Sequence, residues 1–85
     1  MPTLRLLFVD DEPQILEGLR RLLRTRRKIW DMCFVQSAVE ALALHQAQPF
    51  DVVISDIRMP GMDGVELLER IKASHPHTVR IALSG

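Results

Sequence analysis

The stretch Leu4-Arg5-Leu6-Leu7-Phe8-Val9-Asp10-Asp11-Glu12-Pro13 decides how the rest of the chain is read. Its first six residues form an apolar run with almost no alternation, the pattern of a strand buried on both faces of a sheet. The run stops at three acids and a proline. Pro13 suits the first turn of a helix, where a missing N–H is not felt, and acids just before it suit the positive end of a helix dipole. Beyond it, Ile15, Leu16, Leu19, Leu22 and Leu23 are spaced to make one apolar stripe on a helix.

The same grammar repeats downstream. Ile29 to Val35 reads as a second strand, followed by Ser37 as an N-cap with Glu40 three residues on, the spacing of a capping box. Ala38, Ala41 and Leu42 give the next helix a small-residue face, and Gln48-Pro49-Phe50 breaks it. Asp51-Val52-Val53-Ile54-Ser55 is a third apolar strand ending in an acid, Asp56. A Gly/Pro-rich loop over residues 59–64 leads to a helix built on Val65, Leu67, Leu68 and Ile71, which His75-Pro76 ends. Val79 to Leu83 reads as a fourth strand before Ser84-Gly85. The order βαβαβαβ predicts a doubly wound α/β fold: a parallel sheet with right-handed crossovers and helices on both faces. Sites in such sheets form at the carboxyl ends of the strands. Those ends are where this sequence keeps its acids. There are no repeats, low-complexity segments or interdomain linkers.

The 85 residues are 47% hydrophobic and 26% charged, as in a globular domain. Eleven Lys and Arg balance eleven Asp and Glu, which argues against nucleic acid or a membrane surface as the main partner. One basic run, Arg20-Arg21 through Arg24, Arg26, Arg27 and Lys28, reads as a solvated helix face with cations favourably placed at its C-terminus. A docking surface is the alternative. The lone Cys33 reads as a buried, inert thiol, and His45, His75 and His77 as surface or helix-end residues with no metal-ligand spacing. With no signal peptide and no long apolar stretch, the expected address is the cytoplasm.

Asp10 and Asp11 follow the first strand and Asp56 follows the third. If those strands are neighbours, three carboxylates converge at one edge of the sheet. Like charges so placed raise one another's pKa and cost stability. A hard divalent cation with oxygen ligands relieves this, and Mg²⁺ fits because it accepts a few carboxylates and keeps several waters. A carboxylate is also a competent nucleophile toward phosphorus. Taken singly, Asp10-Asp11 could be helix capping and Asp56 a turn acid. Their joint placement at strand ends favours chemistry.

The residues Phe8-Val9-Asp10-Asp11-Glu12-Pro13 and the longer motif Ser55-Asp56-Ile57-Arg58-Met59-Pro60-Gly61-Met62-Asp63-Gly64 resemble two signatures of the response-regulator receiver family. Ala82-Leu83-Ser84-Gly85 resembles the end of that family's fourth strand. The resemblance implies a flavodoxin-like sheet, incomplete here, of order 2-1-3-4-5. It makes Asp56 the phosphoacceptor and, with Asp11, a Mg²⁺ ligand, Asp10 a ligand through water, and Arg58 a ligand through its backbone carbonyl. Ser84 is the switch hydroxyl that contacts the phosphoryl group. Met59, Pro60 and Gly61 shape the loop, with Gly61 and Gly64 permitting turn conformations that other residues resist. The implied donor is the phosphohistidine of a sensor histidine kinase, and the implied response is control of an output domain that lies outside this chain.

Receivers continue through another helix, a fifth strand with a functional lysine, and a last helix. The resemblance therefore makes residues 1–85 the N-terminal part of a receiver, a piece of a longer regulator lacking that lysine contact. It also predicts that Val79–Leu83 is an exposed apolar edge through which the chain self-associates. Two rival readings differ in class. A degenerate receiver would act only as an interaction or dimerisation module. A haloacid-dehalogenase-type phosphatase would need a second aspartate two residues after the first, a spacing that the adjacent Asp10-Asp11 does not have.

Overall fold

The computed structural model of the chain describes residues 3–83. Four strands, β1 (Leu4–Val9), β2 (Trp30–Val35), β3 (Val52–Asp56) and β4 (Val79–Leu83), alternate with helices α1 (Pro13–Leu22), α2 (Ala38–Ala47) and α3 (Gly64–Ser74). All pairings are parallel and the strand order is β2-β1-β3-β4. The doubly wound arrangement expected from the alternation is therefore present.

β1 lies between β2 and β3, and period 2 divides its side chains between two layers. Leu7 and Val9 join Val35, Val53, Leu42, Leu67 and Ile71 in the larger core, under α2 and α3. Leu6 and Phe8 face the other way, onto Leu16 of α1 and the half-buried Met32, Phe34 and Ile54. Phe8 and Phe34 stack with ring centroids 4.9 Å apart. Burying a side chain such as Leu7 or Ile71 contributes roughly 1.5–3 kcal/mol.

α1 and α2 begin where the sequence says they should, and α3 takes in Gly64, which the sequence places in the loop. Pro13 occupies the first turn of α1. Ser37 caps α2 by accepting the Glu40 N–H at 3.1 Å, and Asp63 caps α3 by accepting the Glu66 N–H at 2.9 Å. The stripe expected on α1 is narrower than its sequence suggests. Leu16 is buried and Leu19 and Leu23 half-buried, whereas Ile15 and Leu22 face solvent, Leu22 with 75% of its surface exposed. The residues that reach the sheet are spaced i, i+3, i+7, and the other two flank them. β2 begins at Trp30, leaving Ile29 exposed outside it, and β3 takes in Asp56 but not Asp51. A 3-10 turn over Arg24–Arg26 extends α1. Cys33 is half-buried against the larger core.

Candidate functional site

The register that sets Val9 opposite Ser55 brings the next residues along each strand, Asp10 and Asp56, to the same end of the sheet. Asp10 continues the ladder on its other side by donating its N–H to the Val35 carbonyl at 3.1 Å. Asp11 follows in the turn before α1. Carboxylate oxygens of Asp10, Asp11 and Asp56 all lie within 4.8 Å of one another. Among the described residues, the ion pairs are Arg5 with Asp31, Arg20 with Glu17 and Arg70 with Glu66. None of them reaches this cluster.

The electrostatic cost falls on Asp10. Burial pushes its carboxyl above the usual carboxylate range, and the charges of Asp56 and Asp11 push it further. The Glu12 N–H, donating to Asp10 Oδ1 at 2.9 Å, pulls it partly back. These oxygens suit a hard divalent cation. The donor set is all carboxylate, closely spaced and, among the described residues, without an ion pair to neutralise it.

The loop after β3 is held by backbone as much as by side chains. Ser55 is fully buried and donates its hydroxyl to the Asp56 carbonyl at 2.8 Å. Met59 is buried in the larger core, Pro60 is exposed, and Gly61 adopts φ +74, which favours glycine. Gly64 is needed for a different reason from the one the sequence suggests. Its φ is not positive; instead a Cβ there would overlap the Asp56 carbonyl oxygen and lie 2.9 Å from the carbonyl carbon and from Ile57 Cα. Gly64 also donates its N–H to the Ile57 carbonyl at 2.9 Å. The start of α3 is thus pressed directly onto the backbone that carries Asp56. Arg58 lies in the same turn with its side chain exposed. Ser84, expected to face the phosphoryl group, lies outside the described residues.

One polar residue was misread from sequence. His45, expected at the surface, has no exposed area at all. Its Nδ1 accepts the Phe50 N–H at 3.0 Å, while Nε2 is buried without a hydrogen-bond partner and the His75 ring packs edge-on with centroids 4.5 Å apart. A signal was present: His45 continues the Ala38, Ala41, Leu42 face at position i+7. A groove of about 650 Å³ lies against α1 and β2 and includes none of the three clustered acids.

Comparison with known proteins agrees with this geometry. The sequence profile of the response regulator receiver domain matches residues 6–85. The chain is 43% identical over 79 residues to the hydrogenase transcriptional regulatory protein HoxA of Cupriavidus necator, covering 93% of this chain and 16% of that protein. It is 40% identical over 68 residues to the two-component response regulator ORR26 of Oryza sativa subsp. japonica, covering 80% of this chain and 12% of the relative. The crystal structure of the signal receiver domain of an HD domain-containing protein from Pseudomonas fluorescens Pf-5 superposes with a TM-score of 0.90 at 37% identity, over 99% of this chain and 66% of that one. The chain thus spans less than a sixth to about two thirds of the length of these proteins.

Proposed function

The chain belongs to the response regulator receiver domain family of two-component signalling, and from that membership we propose that it takes up a phosphoryl group on Asp56. The observation that supports this reading most is the convergence of Asp10, Asp11 and Asp56 within 4.8 Å, with no ion pair to them among the described residues. An Asp56 carboxylate oxygen attacks phosphorus. The P–N bond of a sensor kinase's phosphohistidine breaks, and the departing imidazole keeps the electron pair. The product is an aspartyl phosphate, and slow hydrolysis resets the chain.

Asp11, Asp10 through water, and the Arg58 carbonyl are the groups proposed to hold Mg²⁺ beside Asp56. Bound there, Mg²⁺ supplies positive charge to the clustered carboxylates and to the phosphoryl oxygens. The chain's own part is positional. Asp56 is fixed by its register opposite Leu83 of β4, by the Ser55 hydroxyl on its carbonyl, and by Gly64 packed behind it. Ser84 is proposed as the hydroxyl that meets the transferred group. No described helix is long and apolar enough to cross a membrane, and we place the module in the cytoplasm with an output domain as its effector. The test is intact mass after incubation with Mg²⁺ and a small-molecule phosphodonor. A single phosphoryl adduct is expected that disappears without Mg²⁺ and in Asp56→Ala. An adduct that survives Asp56→Ala overturns the assignment.

A second reading concerns self-association. β4 is the outer strand on its side, and Val79, Ile81 and Leu83 are exposed along it. An open apolar edge of this kind pairs readily with another strand. We propose that two copies associate through Val79–Leu83, and a monodisperse monomer in light scattering at micromolar concentration would count against it.

A further inference from the structure

The groove between α1 and β2 is built from two unlike walls. Trp30, Met32 and Phe34, alternate residues of β2, form an apolar floor on the α1 side of the sheet. At about 3.3 Å per residue they extend over roughly 13 Å. Cations line the other wall. Arg20 lies over the Phe34 ring at 4.6 Å, and Arg21, Arg24, Arg27 and Lys28 follow along the end of α1 and the turn beyond.

The charge in this groove is not compensated from within. Its two acids are already engaged, Glu17 with Arg20 and Asp31 with Arg5, each at 3.4 Å. Among the described residues, Arg21, Arg24, Arg27 and Lys28 have neither an ion pair nor a side-chain hydrogen bond. Arg5, Arg70 and Arg80, by contrast, donate to carbonyls or carboxylates. Four free cations beside a half-buried apolar strip call for an anion that also brings apolar groups. The strip follows three alternate residues along one strand, matching an extended chain better than a compact small molecule. β2 is also the outermost strand on this side, so its free backbone edge is available to such a chain.

We propose that this groove docks an acidic, apolar-studded segment of a partner protein. Acidic side chains of the segment meet Arg21, Arg24, Arg27 and Lys28, and its apolar residues cover Trp30 and Met32. The site is separate from the acid cluster, so docking leaves Asp56 free.

Trp30 is the only tryptophan and the chain has no tyrosine, so its emission reports directly on the groove. The probe is a synthetic peptide that alternates Glu or Asp with Leu or Phe and lacks Trp and Tyr. A saturable change in Trp30 emission is expected, weakening several-fold between about 0.05 and 0.5 M salt as the charges are screened. The double reversal Arg21→Glu/Arg24→Glu, at exposed positions, is expected to weaken binding by about tenfold or more, the summed effect of several exposed pairs, with circular dichroism unchanged. No change up to about 1 mM peptide overturns the proposal. So does equal binding by a Gln/Asn version of the peptide, or equal binding by the reversed protein. A stronger response to ATP or to a single-stranded oligonucleotide reassigns the groove to nucleotide or nucleic acid. A Trp30 change that grows with protein concentration alone reassigns it to a second copy.

Discussion

At the amino ends of the strands, polar groups are used up in closing the fold, whereas at the carboxyl ends charged groups are left facing one another. Arg5 donates to Asp31 and to the carbonyls of Gln48 and Pro49, and its guanidinium lies over the Phe50 ring at 4.2 Å. Asp51 accepts the Arg5 N–H at 2.7 Å, Thr78 donates to the Phe50 carbonyl at 2.9 Å, and His45 accepts from Phe50. Across the sheet, Asp10, Asp11 and Asp56 share a small space, and among the described residues their carboxylates accept a single hydrogen bond, from the Glu12 N–H to Asp10. A fold shaped only by its own stability gains nothing from three facing carboxylates. The amino end is where this molecule is held together, and the carboxyl end is where it keeps a charge imbalance for use.

The sharpest challenge to that division comes from Gly64, a packing residue at the carboxyl end. Gly64→Ala drives a methyl into the Asp56 carbonyl and is expected to cost about 3 kcal/mol in urea unfolding while suppressing phosphorylation. A loss below about 1 kcal/mol would show that the α3 start can slide away from the strand.

His45→Ala tests the amino end. Removing the ring opens a cavity and strands the Phe50 N–H, for an expected loss of about 2 kcal/mol at pH 8. Burial, with His75 and Arg5 nearby, holds the His45 pKa below its ordinary 6.5. The neutral ring therefore contributes stability that is present above the unfolded value and lost as pH falls through 6.5 toward the folded one. The gap between wild type and His45→Ala should narrow over that interval, and an unchanged gap would contradict a buried neutral histidine. Thr78→Val is a smaller probe of the same end. It keeps the shape, removes the hydrogen bond to Phe50, and should cost about 1 kcal/mol.

The smallest expected change has the opposite sign. Asp10→Asn keeps an acceptor for the Glu12 N–H but removes a charge that burial and two neighbours disfavour. It should stabilise the metal-free chain by less than about 1 kcal/mol at pH 7. Because the folded pKa of Asp10 is raised above 3.8, the wild type regains this stability once pH falls below that value, so the two proteins should converge there. Added Mg²⁺ should reverse the order at neutral pH, which thermal unfolding with and without the ion would register. Destabilisation by Asp10→Asn without metal would erase the contrast between the two ends.

Much of this was legible in the chain. Largely apolar runs at β1 and β3 announced a sheet buried on both faces, and the acids closing those runs announced the site. What the pattern could not supply was adjacency: only the β1–β3 register makes Asp10 and Asp56 neighbours. The extra width of the α1 stripe was misleading because one helix covers the sheet with a single line of contacts, leaving Ile15 and Leu22 outside. Gly64 was read as a turn former, because a sequence shows that a glycine is present and not which backbone will press against it. His45 was read as a surface residue because its type outweighed its position on the Ala38-Ala41-Leu42 face.

The central place of β1 has a consequence for how the molecule comes into being. β1 is synthesised first, yet it is complete only when β2 lies along one edge and β3 along the other. The second pairing must wait until residues 52–56 have left the ribosome, and it closes a long loop at an entropic cost that grows slowly with length. Until then Asp10 and Asp11 have no third carboxylate beside them, and the repulsion that characterises the finished site is absent. The β1–β3 pairing is thus also the step that charges the site, so a divalent ion present during folding would favour that pairing rather than merely decorate a finished protein.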